Sequence, residues 1–140
     1  MKVQDVMTRD VLTAKEGDKL SDVAQMMKEL NVGFLPVVDD NNNLVGVITD
    51  RDITVRAVAK GVDLKDAIVR DFMTPSPITV GPDVNVEDAA DMMADAQIRR
   101  LLVVQDGGII GVVALGDLAV DVGEEELVGE TLKRVSEPVR

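Results

Sequence analysis

The sequence predicts an α/β (α+β) fold made of two pseudo-symmetric units, each strand-helix-strand-strand-helix, packed about a pseudo-two-fold axis. Two observations predict it. First, the chain repeats itself: Asp5-Val6-Met7-Thr8 returns 66 residues later as Asp71-Phe72-Met73-Thr74. At the same spacing Asp22, Ala24, Met26, Met27, Leu35, Val37 and Val38 meet Asp88, Ala90, Met92, Met93, Leu101, Val103 and Val104. One residue is then lost from a turn, and Gly46-Val47-Ile48-Thr49-Asp50-Arg51-Asp52 aligns with Gly111-Val112-Val113-Ala114-Leu115-Gly116-Asp117. Second, both copies alternate short apolar runs with a helix-period stretch in the same order. Similar halves that each bury an apolar face can pair about an approximate two-fold axis, forming related clefts at their boundary.

The elements follow in order. Val11 to Ala14 reads as a short strand before a turn at Glu16-Gly17-Asp18. Leu20, Val23, Ala24, Met27 and Leu30 then fall on one face of a helix over 20–30. Gly33 stands where a left-handed C-cap is expected. Phe34 to Val38 and Leu44 to Ile48 form an antiparallel hairpin through the polar turn 39–43. A second helix runs from near Thr49 to Lys60-Gly61. In the second copy, Pro77 to Val80 is a strand. Val86, Ala89, Ala90 and Met93 line a helix that Asn85 can cap, with Asp88 three residues on. Leu101 to Val104 and Ile109 to Val113 make the second hairpin, and a last helix of the repeat starts near Gly116. These readings divide the chain into a first unit at 1–62, a link at 63–70 with a possible short helix from Leu64 to Val69, a second unit at 71–122, and a C-terminal helix or tail at 123–140. Glu124, Glu125 and Glu126 suit the start of that tail helix, Lys133 and Arg134 its end, and Pro138 its stop. Gly129 weakens it, while Leu127, Val128, Leu132 and Val135 could pack on the body or on a second copy.

Composition narrows the functions. Hydrophobic residues make up 46% of the 140, enough for one core or two small ones that share an interface. Fifteen basic against 26 acidic residues leave a net charge of −11, which repels a phosphate backbone. Phe34 and Phe72 are the sole aromatics, too few for a base-stacking surface. The expectation is therefore no nucleic-acid partner. A small anion is not excluded, because a few placed arginines dominate locally. With neither His nor Cys, the commonest general base, the thiol nucleophile and disulfides are all missing. Any metal site would need hard carboxylate ligands, and Asp39-Asp40-Asn41-Asn42-Asn43 lacks the spacing of a calcium loop. Gly108-Ile109-Ile110-Gly111 likewise lacks the spacing of a phosphate loop and reads as hairpin. No leader pattern or long apolar run appears, so the expectation is a cytoplasmic protein without a membrane partner.

The segment Gly46 to Asp52 concentrates the remaining chemistry. A buried strand runs into a helix, with Thr49 and Asp52 three residues apart at the junction. One reading is a capping box, in which Thr49 accepts from the third helical amide and Asp52 reaches back. The other is ligand binding: helix amides favour phosphate, and a carboxylate can accept both hydroxyls of a ribose. The two are compatible. Arg99-Arg100 is an adjacent basic pair at the mouth of a strand, suited to a phosphate by its guanidinium forks or simply to the helix end before it. Arg51 and Arg56 are weaker candidates for the same task. Met26-Met27 and Met92-Met93 read as core filler.

The duplicated unit, the opening Val-Met-Thr and the Gly-Val-Ile-Thr-Asp-Arg-Asp signature resemble a tandem pair of cystathionine-β-synthase (CBS) domains, a Bateman module of the stand-alone type, over about residues 1–122. That resemblance implies adenosine-nucleotide binding in clefts between the two units. It implies that Thr49 contacts phosphate or ribose, that Asp52 holds the ribose hydroxyls, and that Asp117 does so in the second cleft. Adenine would lie in slots formed by Thr13 with Gly33, Phe34, Leu35 and Pro36, and by Thr79 with Arg99, Arg100, Leu101 and Leu102. Backbone would carry much of that recognition, and plain core packing explains Phe34, Leu35 and Leu101 equally well. Ala114 departs from the pattern, which has Thr or Ser there. The cleft of Thr49 and Asp52 is therefore expected to bind more tightly, and Asp117 to serve either ribose or a shortened helix as its cap.

The resulting expectation is a non-enzymatic regulatory module that senses AMP, ADP or ATP, requires no other cofactor, and signals by conformational change to an effector protein the residues do not name. The rival is a purely structural dimerisation module without nucleotide. Both predict a homodimer, because units this small leave apolar helix faces that one chain cannot cover. Light scattering at micromolar concentration should give twice the chain mass; a monomer would overturn the expectation.

Overall fold

The computed structural model describes residues 1–118 and 125–137, which group into two compact units. The units of packing are not the units of repetition. One comprises Met1–Val11 with Ile78–Arg140, and the other Leu12–Pro77. Each copy of the Asp-x-Met-Thr motif thus packs against the strands of the other copy of the repeat.

The unit at Leu12–Pro77 holds β1 (Ala14–Lys15), α2 (Leu20–Leu30), β2 (Phe34–Val38), β3 (Leu44–Thr49) and α3 (Asp50–Asp52), which widens into π-helical turns over Ile53–Val58. A 3-10 turn at Val69–Asp71 leads to β4 (Thr74–Pro75). The sheet order is β1-β2-β3-β4; β1 runs parallel to β2, and the other pairs are antiparallel. Four of the five β2 residues are buried, as expected of an apolar strand covered on both faces. Leu20, Val23 and Met27 of α2 pack on Leu35, Val37 and Ile48 to form the core.

The other unit repeats the plan with α1 (Val3–Val6), β5 (Thr79–Val80), α4 (Val86–Ala96), β6 (Arg100–Gln105), β7 (Gly108–Ala114) and α5 (Leu115–Asp117). β5 runs parallel to β6, which is antiparallel to β7. Outside the repeat, α6 (Glu125–Val135) lies on α4. Lys133 and Arg134 stand in its last turn, where the helix-end reading put them, and Arg134 bonds Asp95 at 2.8 Å and Asp91 at 3.2 Å. Val135 is buried, and Leu127 and Val128 pack on the core, whereas Leu132 stays largely exposed. Of the tail expectations, Gly123, Glu124 and Pro138 lie outside the described residues.

The exchange of leading segments follows one hydrogen-bond scheme in both units. Val3 N donates to Val84 O and Gln4 N to Pro82 O, while Val69 N donates to Asp18 O and Arg70 N to Glu16 O. Each motif then passes over a glycine of the neighbouring central strand. A Cβ on Gly46 would lie 2.6 Å from Met73 Sδ and 2.8 Å from Thr74 O; on Gly111 it would lie 2.6 Å from Met7 Sδ and 2.9 Å from Thr8 O. The glycines that open the signature are therefore required by close backbone approach.

Several local expectations are corrected. The first strand is Ala14–Lys15, where pairing with Val37 and Val38 begins, so it starts three residues later than the expected 11–14 and ends one later. The left-handed cap of α2 is Asn31 (φ 55°), matched by Gln97 (φ 55°) after α4, and Gly33 is not in that conformation. Asn tolerates the left-handed region, so the glycine is free for another task. Asn85 makes no side-chain cap on α4; its backbone instead bridges to Lys2. The link does not form a helix over 64–69 but a turn at Asp63–Ala67 followed by the 3-10 turn. The polar turn at 39–43 is tied by Asp39, whose Oδ1 accepts from the amides of Asn41 and Asn43. Those bonds, that to the Asn43 amide foremost, hold its carboxyl below the usual carboxylate range.

Gly46→Ala and Gly111→Ala should each lower stability by about 1–3 kcal/mol through overpacking against backbone. Gly81→Ala, with nothing within 4 Å of its Cβ, should change it little. Urea midpoints compare the three; equal midpoints would show that the methionine segments shift at no cost.

Candidate functional site

At the end of β3 the chain turns from strand to helix at Thr49 (φ −118°, ψ 161°). Thr49 Oγ1 accepts from Asp52 N at 3.0 Å, and Asp52 Oδ2 accepts from Thr49 N at 3.0 Å. This capping box fixes the Asp52 carboxylate, whose side chain is 13% exposed. Its second oxygen, Oδ1, lies 3.8 Å from Arg56 Nε. The Arg56 Nη1 in turn donates to Phe72 O and Met73 O at 3.4 and 3.3 Å. Arg56 thus fastens the methionine segment over Gly46 and is not presented as a ligand arginine.

The strand pairing sets the floor of this junction. Phe34 lies opposite Thr49 in the β2–β3 ladder, and Asp50 N donates to Gly33 O at 2.9 Å. The place a Gly33 Cβ would occupy is 2.9 Å from Asp50 Oδ2. Gly33, Phe34, Thr49 and Asp52 are therefore brought together as expected, with Asp50 added. Sequence reasoning passed over Asp50; the signal was a second acid in Thr-Asp-Arg-Asp. Arg51 is exposed and spends its amide on Asp50 Oδ1.

The second junction has the same backbone. Arg100 lies opposite Ala114, and Leu115 N donates to Arg99 O at 2.9 Å. Asp117 Oδ2 accepts from Ala114 N at 2.9 Å. Ala114 has no hydroxyl to return a bond to Asp117 N, so half of the box is missing. Asp117 does cap its short helix, one of the two roles anticipated for it.

The remaining candidates divide by burial. Leu35 and Leu101 point into the cores, and Pro36 is buried, so their backbones alone remain for a ligand. Thr79 is exposed and opens β5, opposite Leu102, while half-buried Thr13 directly precedes β1. Among the described residues no three His, Cys, Asp or Glu side chains converge as a metal site would require.

The CBS-domain family model matches residues 3–58 and 69–129, the two copies found in the repeat. The chain belongs to the CBS-domain family. Among curated relatives, the CBS domain-containing protein YhcV of Bacillus subtilis is 40% identical over 134 residues, covering 96% of this chain and 94% of that protein. Among solved structures, CBSX2 in complex with AMP is 33% identical with a TM-score of 0.75, covering 89% of this chain and 98% of that one. The CBS domain pair of MJ0100, solved with 5′-methylthioadenosine and S-adenosyl-L-methionine, is 28% identical with a TM-score of 0.75, covering 88% and 96%. The mixed α/β architecture of this CBS pair matches these structures.

Thr49→Ala should cost the first CBS junction about 0.5–2 kcal/mol, the usual value of an N-cap hydroxyl. Ala114→Thr should raise stability by about 0.5–1 kcal/mol by completing the second box. Chemical denaturation of both variants checks the pair of signs, and loss of stability in Ala114→Thr would mean that the hydroxyl has no room.

Proposed function

We propose that this CBS pair is a regulatory module that binds adenosine-type nucleotides of the AMP, ADP and ATP class at its two strand-to-helix junctions. The observation that carries the reading is the pair of oriented carboxylates. Asp52 and Asp117 are each held through Oδ2 by the amide at the strand end, at 3.0 and 2.9 Å, which orients the second oxygen; in Asp52 that oxygen lies 3.8 Å from Arg56 Nε. A pre-positioned, partly buried acceptor suits the vicinal hydroxyls of a ribose, because its ordering cost is met on folding. Thr49 keeps its own O–H as a donor toward phosphate or ribose. The AMP and S-adenosyl-L-methionine complexes of similar CBS pairs support the same ligand class.

In this reading the protein is a cytoplasmic homodimer without catalytic activity, and an effector protein reads the change in packing that ligand causes. A ligand at a hundred times its Kd should stabilise the fold by about 2.7 kcal/mol, a rise of several degrees in Tm. AMP, ADP, ATP, NAD and S-adenosylmethionine form the test panel. 2′,3′-Dideoxyadenosine, which lacks both hydroxyls, should give no shift. The double variant Asp52→Ala with Asp117→Ala should respond to none of them. If no adenine compound raises Tm in the unaltered chain, the carboxylates are caps and the module is structural.

A further inference from the structure

The turns that lead into the two junctions match in backbone but not in support. After α2, Asn31 takes φ 55°, Val32 N donates to Met27 O at 3.0 Å, and Gly33 O accepts from Asp50 N at 2.9 Å. After α4, Gln97 takes φ 55°, Ile98 N donates to Met93 O at 2.9 Å, and Arg99 O accepts from Leu115 N at 2.9 Å. The residue in the left-handed position differs. Asparagine visits that region readily and glutamine does not, so Gln97 holds its conformation at a cost that Asn31 avoids. The support differs too. Gln97 Nε2 donates to Glu137 O at 2.7 Å, just past the end of α6. Helix α6 is itself seated on α4. Thr131 and Val135 are buried, Leu127 and Val128 pack on the core, and Arg134 reaches both Asp91 and Asp95. It lies outside the repeat, so the first copy has no counterpart to it.

We propose that α6 positions the second junction, with Gln97 as the residue through which it acts. The path is short. Glu137 O holds the Gln97 side chain, Gln97 sets the direction of Ile98 and Arg99, and Arg99 O fixes the Leu115 amide that opens α5. Ala114 and Asp117 adjoin that amide, and their 2.9 Å bond is the half of the capping box that this junction keeps. The first junction closes its whole box with Thr49 Oγ1. The second lacks that hydroxyl and is braced from outside by the tail helix. Displacing α6 from α4 therefore alters the second junction and leaves the first unchanged, which gives the module a control over one ligand site. Control over a ligand rests on the nucleotide reading above; the positioning of the backbone does not.

Amide hydrogen exchange of the full chain tests the positioning without any ligand. Arg134→Glu, which sets a third like charge beside Asp91 and Asp95, should speed exchange of the Ile98 and Leu115 amides about two- to tenfold, the worth of one net hydrogen bond. Gln97→Ala, which cuts the bond to Glu137 and keeps the conformational cost, should act in the same way. The matched amides of the first junction, Val32 and Asp50, should keep their rates in both variants. Gln97→Gly takes the left-handed turn without strain, so adding Arg134→Glu to it should leave Ile98 and Leu115 unchanged. Calorimetric titration with AMP reads the consequence. Arg134→Glu should weaken the site that Asp117→Ala removes by the same factor and spare the site that Asp52→Ala removes. Unchanged rates at Ile98 and Leu115 in Arg134→Glu and Gln97→Ala, or equal acceleration of all four amides, would overturn the proposal. So would an undiminished effect of Arg134→Glu in the Gln97→Gly background. No heat from AMP in the unaltered chain would overturn the nucleotide reading alone, and the exchange rates would still decide the positioning.

Discussion

The contact on which the rest of the molecule depends is a methionine laid across a glycine. Met73 over Gly46 and Met7 over Gly111 bring the backbone of one segment within van der Waals reach of a central strand. At that range β4 pairs with Gly46 and Val47, and Thr8 bridges Val112. These bonds cover the outer edge of strands that end in the two junctions. An uncovered edge would leave backbone donors and acceptors unpaired and the strand ends poorly held. The position of Thr49 or Ala114 thus depends on a residue pair several positions back along the strand and far away in sequence.

The junction carboxylates serve the fold and a candidate ligand with different atoms. In Asp52 and Asp117 one oxygen caps a helix turn, and the other oxygen of Asp52 lies toward Arg56. Because Arg56 also holds the carbonyls of Phe72 and Met73, Asp52 is linked through a single side chain to the methionine contact. A ligand that competes for the outer oxygen would weaken an ion pair of modest strength rather than a buried one. Such a link is cheap to break and so is suited to a reversible response.

The two copies differ at the junctions themselves. Asp50 faces Leu115, Thr49 faces Ala114 and Gly33 faces Arg99 in the alignment of the two copies. A further asymmetry is α6, whose Arg134 bridges Asp91 and Asp95, two like charges one turn apart that would otherwise repel. Their counterparts on α2 are Gln25 and Glu29, which bond each other. The acidic pair on α4 is thereby matched to its partner helix, whereas the corresponding pair on α2 bonds within its own helix.

The sequence by itself determined the repeat, helices α2 and α4, both hairpins and the Thr49–Asp52 box. All of these are written in residues near one another: apolar period, turn chemistry and a cap three residues long are local. Helix α2 runs over the very residues its apolar spacing marked, and Asp106-Gly107 takes the paired positive φ of a tight hairpin. What the sequence left open was non-local. Nothing in Asp-x-Met-Thr says that it serves the strands of the other copy, because that choice is decided by which edge and which glycine lie within reach after folding. Gly33 looked like a helix cap because its spacing allowed it, yet Asn31 took that place and the glycine went to make room for Asp50. The pairing of Arg100 with Ala114 and of Phe34 with Thr49 likewise comes from ladder register. That register exists only once the strands have met.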